Sequence, residues 1–428
     1  MKATEVLHMP IGMVAIMPFE EDWDLRPYLH YAFLGLQHRG GDNKVYCTLV
    51  DNRPLCMEYE GEGISQGISK PVVAFTSSDE PSRHWLEIER NGIRLVAIYD
   101  RFTNDLEFFL DKLLERSNNI VNEAGRIARD LTNSMDLDIP SFIALTSRGE
   151  ILSMRSNLGI SPLVIGGYGF DLAIVSSESS LIDILDSDIR KHVKPGEMIY
   201  IARSLFKVFE SNMDNGSLCV FEPLYLARHD SIMDYNIHVY EFRKELGREL
   251  ARGFNNEIDI VVGVPETAYP YAIGLARELR KPFELGFHPT PGRYRSMLKR
   301  TGTERLIAIH LKMNPIRKVL EGKRIALVDD SMVTGTTIKT ISQILRNKVG
   351  VEEIHLLIAS PRLTRSCPYG YMYIDEKLLI ASNLSEDAIV KYLEVDSLTW
   401  LNEDSLDHVA RACNIRLCGR CFGRQFFG

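Results

Sequence analysis

The chain has 428 residues with 50 basic and 58 acidic side chains, a formal net charge of −8, and 45% hydrophobic residues. This is the composition of two or three globular domains; it excludes disordered and collagen-like chains and offers no dense basic block for nucleic acid. No apolar run reaches the roughly 18–20 uncharged residues of a spanning helix, so no membrane partner is expected.

The first apolar run, residues 10–19, leads straight into Glu20-Glu21-Asp22 and has no small-residue cleavage site, so it reads as a buried strand and not as a signal peptide. Up to about residue 210 the texture is β-rich, with strand-like runs at 93–99, 142–146, 172–177 and 198–202 and one polar helical stretch over 105–133. The segment from Asp214-Asn-Gly216 to Asp234 is the best domain junction. Beyond it the pattern predicts a helix over 235–254, a strand at 258–263, a helix at 271–279, a strand at 324–328, a helix at 337–348 and a strand at 353–359. Strands alternating with helices imply a parallel sheet covered on both faces. Seven cysteines is an odd count. Spread along a chain with no secretory leader, they argue against a disulfide framework and for a reducing cytoplasm.

Most of the chemistry lies in Arg324-Ile-Ala-Leu-Val-Asp-Asp-Ser-Met-Val-Thr-Gly-Thr-Thr337. An apolar strand ends in Asp329 and Asp330, and a short loop then supplies Ser331, Thr334, Gly335, Thr336 and Thr337 ahead of a helix. Gly335 lets backbone N–H groups approach a phosphate, the threonine hydroxyls donate to its oxygens, and the helix N-terminus adds the positive end of a dipole. The two carboxylates can accept hydrogen bonds from vicinal ribose hydroxyls. A sugar phosphate suits this order better than a nucleoside triphosphate, because no Gly-x-x-x-x-Gly-Lys-Ser/Thr loop is present there. The plainer alternative is a strand-to-helix turn whose Asp and Thr residues are local caps.

This segment resembles the 5-phosphoribosyl 1-diphosphate (PRPP) motif of type I phosphoribosyltransferases. Further stretches resemble the amidophosphoribosyltransferase (glutamine phosphoribosylpyrophosphate amidotransferase) family, which opens purine synthesis. They are Leu36-Gln-His-Arg-Gly40, Leu158-Gly-Ile-Ser-Pro-Leu163, Lys194-Pro-Gly-Glu197, the run Cys219 to Ser231, Val264-Pro-Glu-Thr267, Gly292-Arg-Tyr294, Leu311-Lys-Met-Asn-Pro315 and Glu321-Gly-Lys-Arg324. The resemblance implies an N-terminal Ntn-hydrolase-like αββα sandwich over 11–215, a type I phosphoribosyltransferase parallel sheet over 235–385, and a tail over 386–428. It implies that Asp329 and Asp330 bind the ribose hydroxyls and a Mg²⁺ that bridges to diphosphate, with Thr267 at a third metal-associated position. Ser331 to Thr337 would hold the 5-phosphate. Thr334 stands where the family usually has Arg, although Thr is common there in other type I phosphoribosyltransferases. Arg293, Lys299, Arg300, Arg305 and Lys312 fall in the family's mobile loop, which closes over PRPP; otherwise they are a solvated charged helix.

The glutaminase half departs from the family. Its nucleophilic N-terminal cysteine is replaced by Ile11, with ten residues ahead of it. The His-Asn-Gly-Asn that builds the family's oxyanion hole reads Ile98-Tyr99-Asp100-Arg101. The motif whose Arg holds the glutamine carboxylate falls near Val72 to Ser78 with no Arg. A glutaminase needs nucleophile, base and oxyanion hole together. The expectation is a domain that keeps the fold and does not hydrolyse glutamine.

Cys418-Gly-Arg-Cys421 is compatible on its own with zinc, redox chemistry or coincidence. Some members of the family hold an iron–sulfur cluster with four cysteines, and Cys219, Cys367, Cys418 and Cys421 match those positions. The resemblance therefore implies a [4Fe–4S] cluster, with tetrahedral Zn²⁺ as the alternative. Cys47, Cys56 and Cys413 are expected as small core residues. The function implied is formation of 5-phosphoribosylamine from PRPP with ammonia, free or donated by another protein. The alternative is a PRPP-binding regulatory partner of an active paralogue. The family also implies a homotetramer or homodimer.

Overall fold

The computed structural model describes residues 7–426 apart from 21, 62–66, 117–124, 127–129, 131–136, 212–215, 235 and 291–312. Its N-terminal half is built on two antiparallel sheets. One has seven strands in the order Asp188–His192, Val164–Tyr168, Leu172–Ser176, Gly12–Pro18, Val72–Ser77, Asn43–Val50, Arg53–Glu58. The other has six, in the order Leu205–Phe209, Met198–Ala202, Ile151–Met154, Phe142–Thr146, Ile93–Tyr99, Trp85–Arg90.

The period of two along each strand sorts its side chains between two cores. Met13, Ala15 and Met17 join Ile98, Ile143 and Ile199 in the layer between the sheets. Val14 and Ile16 point the other way, against Leu29 and Phe33 of helix Arg26–Gly35 and Leu181 of helix Ser179–Ile184. On the second sheet Leu95, Ala97 and Tyr99 pack under Leu106, Phe109 and Leu113 of helix Asn104–Arg116. The layers run helix, sheet, sheet, helix, as the resemblance implies. Of the polar helical stretch expected over 105–133, most residues beyond Arg116 lie outside the described ones.

The cysteine expectation needs correcting. Cys47 and Cys56 are not unlinked core residues; they form a disulfide. Antiparallel pairing sets them directly opposite one another on adjacent strands, with Cα atoms 4.0 Å apart.

The C-terminal half carries the predicted parallel sheet: the expected strands Ile260–Gly263, Arg324–Asp329 and Glu353–Ile358 lie side by side, and Ser397–Trp400, from the stretch read as a tail, joins them as a fourth. Helices Val239–Ala251 and Tyr269–Leu279 cover one face; Thr336–Ile344 and Glu386–Leu393 cover the other. The first two cross at Gly247 and Gly274, where a methyl group would overlap the facing carbonyl of Tyr271 or Lys244. The first helix starts four residues later than its apolar pattern suggests, because Ile232–Met233 and Ile237–His238 pair as a small antiparallel hairpin instead. Among the described residues no helix is long and apolar enough to cross a membrane.

Candidate functional site

Strand Arg324–Asp329 delivers Asp329 and Asp330 to the carboxyl edge of the parallel sheet, where ligands bind in open α/β folds. Asp330 is buried and Asp329 half-buried. The Asp330 N–H donates to Asp329 Oδ1 at 3.0 Å, and the Ser331 hydroxyl donates to Asp330 Oδ1 at 2.7 Å. Gly335 then turns the chain with φ of +69°, a left-handed value that glycine adopts without strain. A Cβ there would also press on Ile380 and Leu393, so the tight approach is set from two sides. Helix Thr336–Ile344 follows at once. Thr334 and Thr336 hydroxyls lie 3.0 Å apart, and Thr334 Oγ1 accepts from the Thr336 N–H at 3.3 Å. Thr337 is half-buried in the first turn. Hydroxyls, a half-buried helix start and two carboxylates thus share one loop, a geometry that serves an anionic sugar ester.

Thr267 lies on the neighbouring loop. The Val264 N–H donates to the Val328 carbonyl at 2.9 Å, so the loop leaves its strand beside the residue that precedes Asp329. The Pro265–Glu266 peptide in this loop is cis. Arg293, Lys299, Arg300, Arg305 and Lys312 lie outside the described residues.

The four cysteines, drawn from three distant segments, line one small cavity with about 20 Å³ of room for water. Backbone bonds bring the segments together: Cys219 and Cys418 are register partners on parallel strands, and the Thr364 and Arg365 N–H groups both donate to the Cys421 carbonyl. The other walls are apolar for the most part, including Ile160, Phe221, Leu363 and Met372. Burial, and then the neighbouring cysteines, push the Cys219 and Cys421 thiols well up from the ordinary range. Thiols so placed stay protonated unless a cation replaces the proton, as a metal does. Among the described residues no three His, Cys, Asp or Glu side chains gather closely enough to hold a single metal ion.

At the expected nucleophile position Ile11 is 1% exposed, packed in the layer between the sheets. Strand Val72–Ser77 is buried along its whole length. Asp100 is also buried; the Ser161 hydroxyl donates to its Oδ2, while Oδ1 has no hydrogen-bond partner among the described residues. Burial raises its pKa to about 6, opposed by the Arg101 charge and the Ser161 bond. A carboxyl raised on folding binds its proton more tightly in the native state, so stability falls as pH climbs from about 4 through about 6. Asp100→Asn should therefore raise unfolding free energy by about 1–3 kcal/mol at pH 8, with the gain vanishing near pH 4. Urea titrations at the two pH values read this directly; a pH-independent difference would refute it.

Two features escape sequence reading. Arg39, fully buried, forms ion pairs with Glu178 and Glu222, and Tyr371 donates its hydroxyl to Glu222 at 2.5 Å. Arg243, 1% exposed, donates to the Pro223 and Ala227 carbonyls, each at 2.9 Å. Arg39 ties together segments far apart in the chain, and Arg243 holds the segment 223–229 against its helix.

Residues 238–365 match the phosphoribosyl transferase domain family. The amidophosphoribosyltransferase of Methanothermobacter thermautotrophicus is 32% identical over 92% of this chain and 80% of its own. That of Archaeoglobus fulgidus is 31% identical over 97% of both. The chain belongs to the amidophosphoribosyltransferase family. Solved structures agree along the whole length: the glutamine PRPP amidotransferase of B. subtilis, complexed with ADP and GMP, superposes with a TM-score of 0.78 at 26% identity and 96% coverage of both chains. A second, described as the allosteric regulatory enzyme of purine biosynthesis, superposes with a TM-score of 0.79 at 27% identity. The amidophosphoribosyltransferase family accounts for both halves of the fold, the αββα sandwich and the parallel sheet.

Proposed function

We propose that this member of the family forms 5-phosphoribosylamine from PRPP with ammonia, free or donated by another protein, and not from glutamine hydrolysed in its own N-terminal domain. The carrying observation is the strand–loop–helix from Asp329 to Thr337, whose carboxylates, hydroxyls and helix start converge as a phosphoribosyl ester requires. The reaction needs no side-chain nucleophile. Asp329 and Asp330 orient the ribose, Ser331 to Thr337 fix its 5-phosphate, and catalysis consists of positioning and charge stabilisation. Asp329, Asp330 and Thr267 would hold a Mg²⁺, whose charge neutralises the departing diphosphate. Loss of the glutaminase is supported by the apolar, buried Ile11 and by the buried Asp100 carboxylate. Purified protein should release diphosphate from Mg²⁺–PRPP with ammonium at alkaline pH and not with glutamine. Activity with glutamine equal to that with ammonium would overturn the reading. PRPP binding without turnover, with an intact family member co-purifying, would favour a regulatory subunit.

Cys219, Cys367, Cys418 and Cys421 would hold a [4Fe–4S] cluster, which supplies a tie of the C-terminal tail to the body. Four cysteines lining one largely apolar cavity, with Cys219 and Cys421 held as thiols by burial unless a metal replaces the proton, support this reading over unligated cysteines. Anaerobically purified protein is expected to contain iron and sulfide near four each per chain. Zinc alone would reject the cluster.

A further inference from the structure

We infer that His229, fixed by Arg243, positions the Val264–Thr267 loop at the PRPP site by donating a hydrogen bond to the Glu266 carbonyl. The inference rests on the PRPP reading and adds a positioning residue to it.

The geometry starts at Arg243 in helix Val239–Ala251. Besides the Pro223 and Ala227 carbonyls, its guanidinium reaches His229 Nδ1 at 2.8 Å. A guanidinium has only donors and keeps its charge, so Nδ1 must be the acceptor and carry no proton. The ring proton of the neutral imidazole therefore sits on Nε2, which lies 3.2 Å from the Glu266 carbonyl. Burial, then the Arg243 charge, lower the His229 pKa to about 4, so the ring is neutral at physiological pH and the tautomer is the one that donates to the loop. The backbone is held too: the Tyr240 N–H donates to the His229 carbonyl at 3.1 Å.

The loop end of this relay matters because of what the loop carries. Glu266 precedes Thr267, and the loop starts at Val264, whose N–H is bonded to the carbonyl of Val328, the residue before Asp329. At its other end the relay is anchored in the segment 222–229. There the Tyr271 hydroxyl donates to the Leu224 carbonyl at 2.8 Å, and Glu178 accepts from the Arg228 N–H at 2.7 Å. A loop carbonyl gripped by an imidazole on so firm a base has little freedom to drift from the reacting centre, which is what positioning requires.

Substitution isolates the Nε2 donor. Gln can place an amide N–H near the position of imidazole Nε2, whereas Asn reaches only about as far as Nδ1. His229→Ala and His229→Asn are expected to raise the dissociation constant for Mg²⁺–PRPP roughly tenfold by calorimetry, the size of one lost hydrogen bond. His229→Gln should return it to within about threefold of wild type. Amide hydrogen exchange at residues 266–268 should quicken in the Ala and Asn variants and not in the Gln variant, a local readout that a general loss of stability would not reproduce. Wild type that binds while His229→Ala binds equally well would overturn the inference alone. A Gln variant as weak as Ala would do the same. Wild type that does not bind PRPP would overturn the PRPP reading together with the inference.

Discussion

Replacing Asp329 and Asp330 together by asparagine is expected to lower ammonium-dependent diphosphate release from PRPP by about 10²–10³-fold, the size of losing a charge aimed at the transition state. The variant separates charge from shape. Asparagine keeps an oxygen that can accept from the Asp330 N–H and the Ser331 hydroxyl, the bonds that hold this corner together. What disappears is the pair of negative charges that a divalent cation needs. Stability should change by no more than about 2 kcal/mol, since Asp329 is half-buried and the buried Asp330 position keeps a polar group of the same shape. The check is an initial-rate assay across a Mg²⁺ series beside a denaturation curve. An unchanged rate in a folded variant would mean that the aspartates are local caps and nothing more.

The loop was readable in the sequence because its information is local: a strand, two carboxylates, a glycine and hydroxyls within fourteen consecutive residues, with the helix next in line. Three strands of the parallel sheet are readable for the same reason, each being a short apolar run between amphipathic helices; the fourth, Ser397–Trp400, is half polar and gives no such signal. The convergence of the four cysteines came only through family resemblance, since spacing alone cannot bring residue 219 to residue 418. The Cys47–Cys56 disulfide was missed although a local signal exists. Asp51 and Asn52 both have positive φ, of 50° and 59°, in a two-residue hairpin connection, and the cysteines are equidistant from it, which sets them opposite one another. An odd total count obscured a pair that the turn specifies. The Arg39 and Arg243 networks had no such signal. Their partners lie 139 and 183 residues away for Arg39 and 14 to 20 for Arg243, and only the folded chain brings them together.

Arg39→Met should destabilise the protein by about 3–5 kcal/mol near pH 7.5, because it leaves Glu178 and Glu222 buried without their cation. Methionine fills much of the volume, so the loss reports charge and not a cavity. Burial pushes the Glu178 carboxyl up, but Arg39 and then His38 more than offset it, and the group sits well below the usual carboxylate range. A depressed carboxyl contributes stability that is present above its unfolded pKa and is lost as pH falls through the folded one. With Arg39 gone, His38 and the Ser231 hydroxyl still oppose burial but the largest opposing charge is lost, so the Glu178 carboxyl rises from its depressed position and the variant loses less stability in acid than wild type does. Wild type and variant should therefore converge in acid, and Glu178→Gln with Glu222→Gln should recover part of the loss at neutral pH. The effect should also reach the cysteine cavity. Glu222 is three residues beyond Cys219, and Tyr371, which donates to it, is four beyond Cys367. If those cysteines hold a cluster, Arg39→Met should surrender its iron to a chelator faster than wild type at a pH where both are folded. Equal rates would show that the ionic hub and the cavity are mechanically independent.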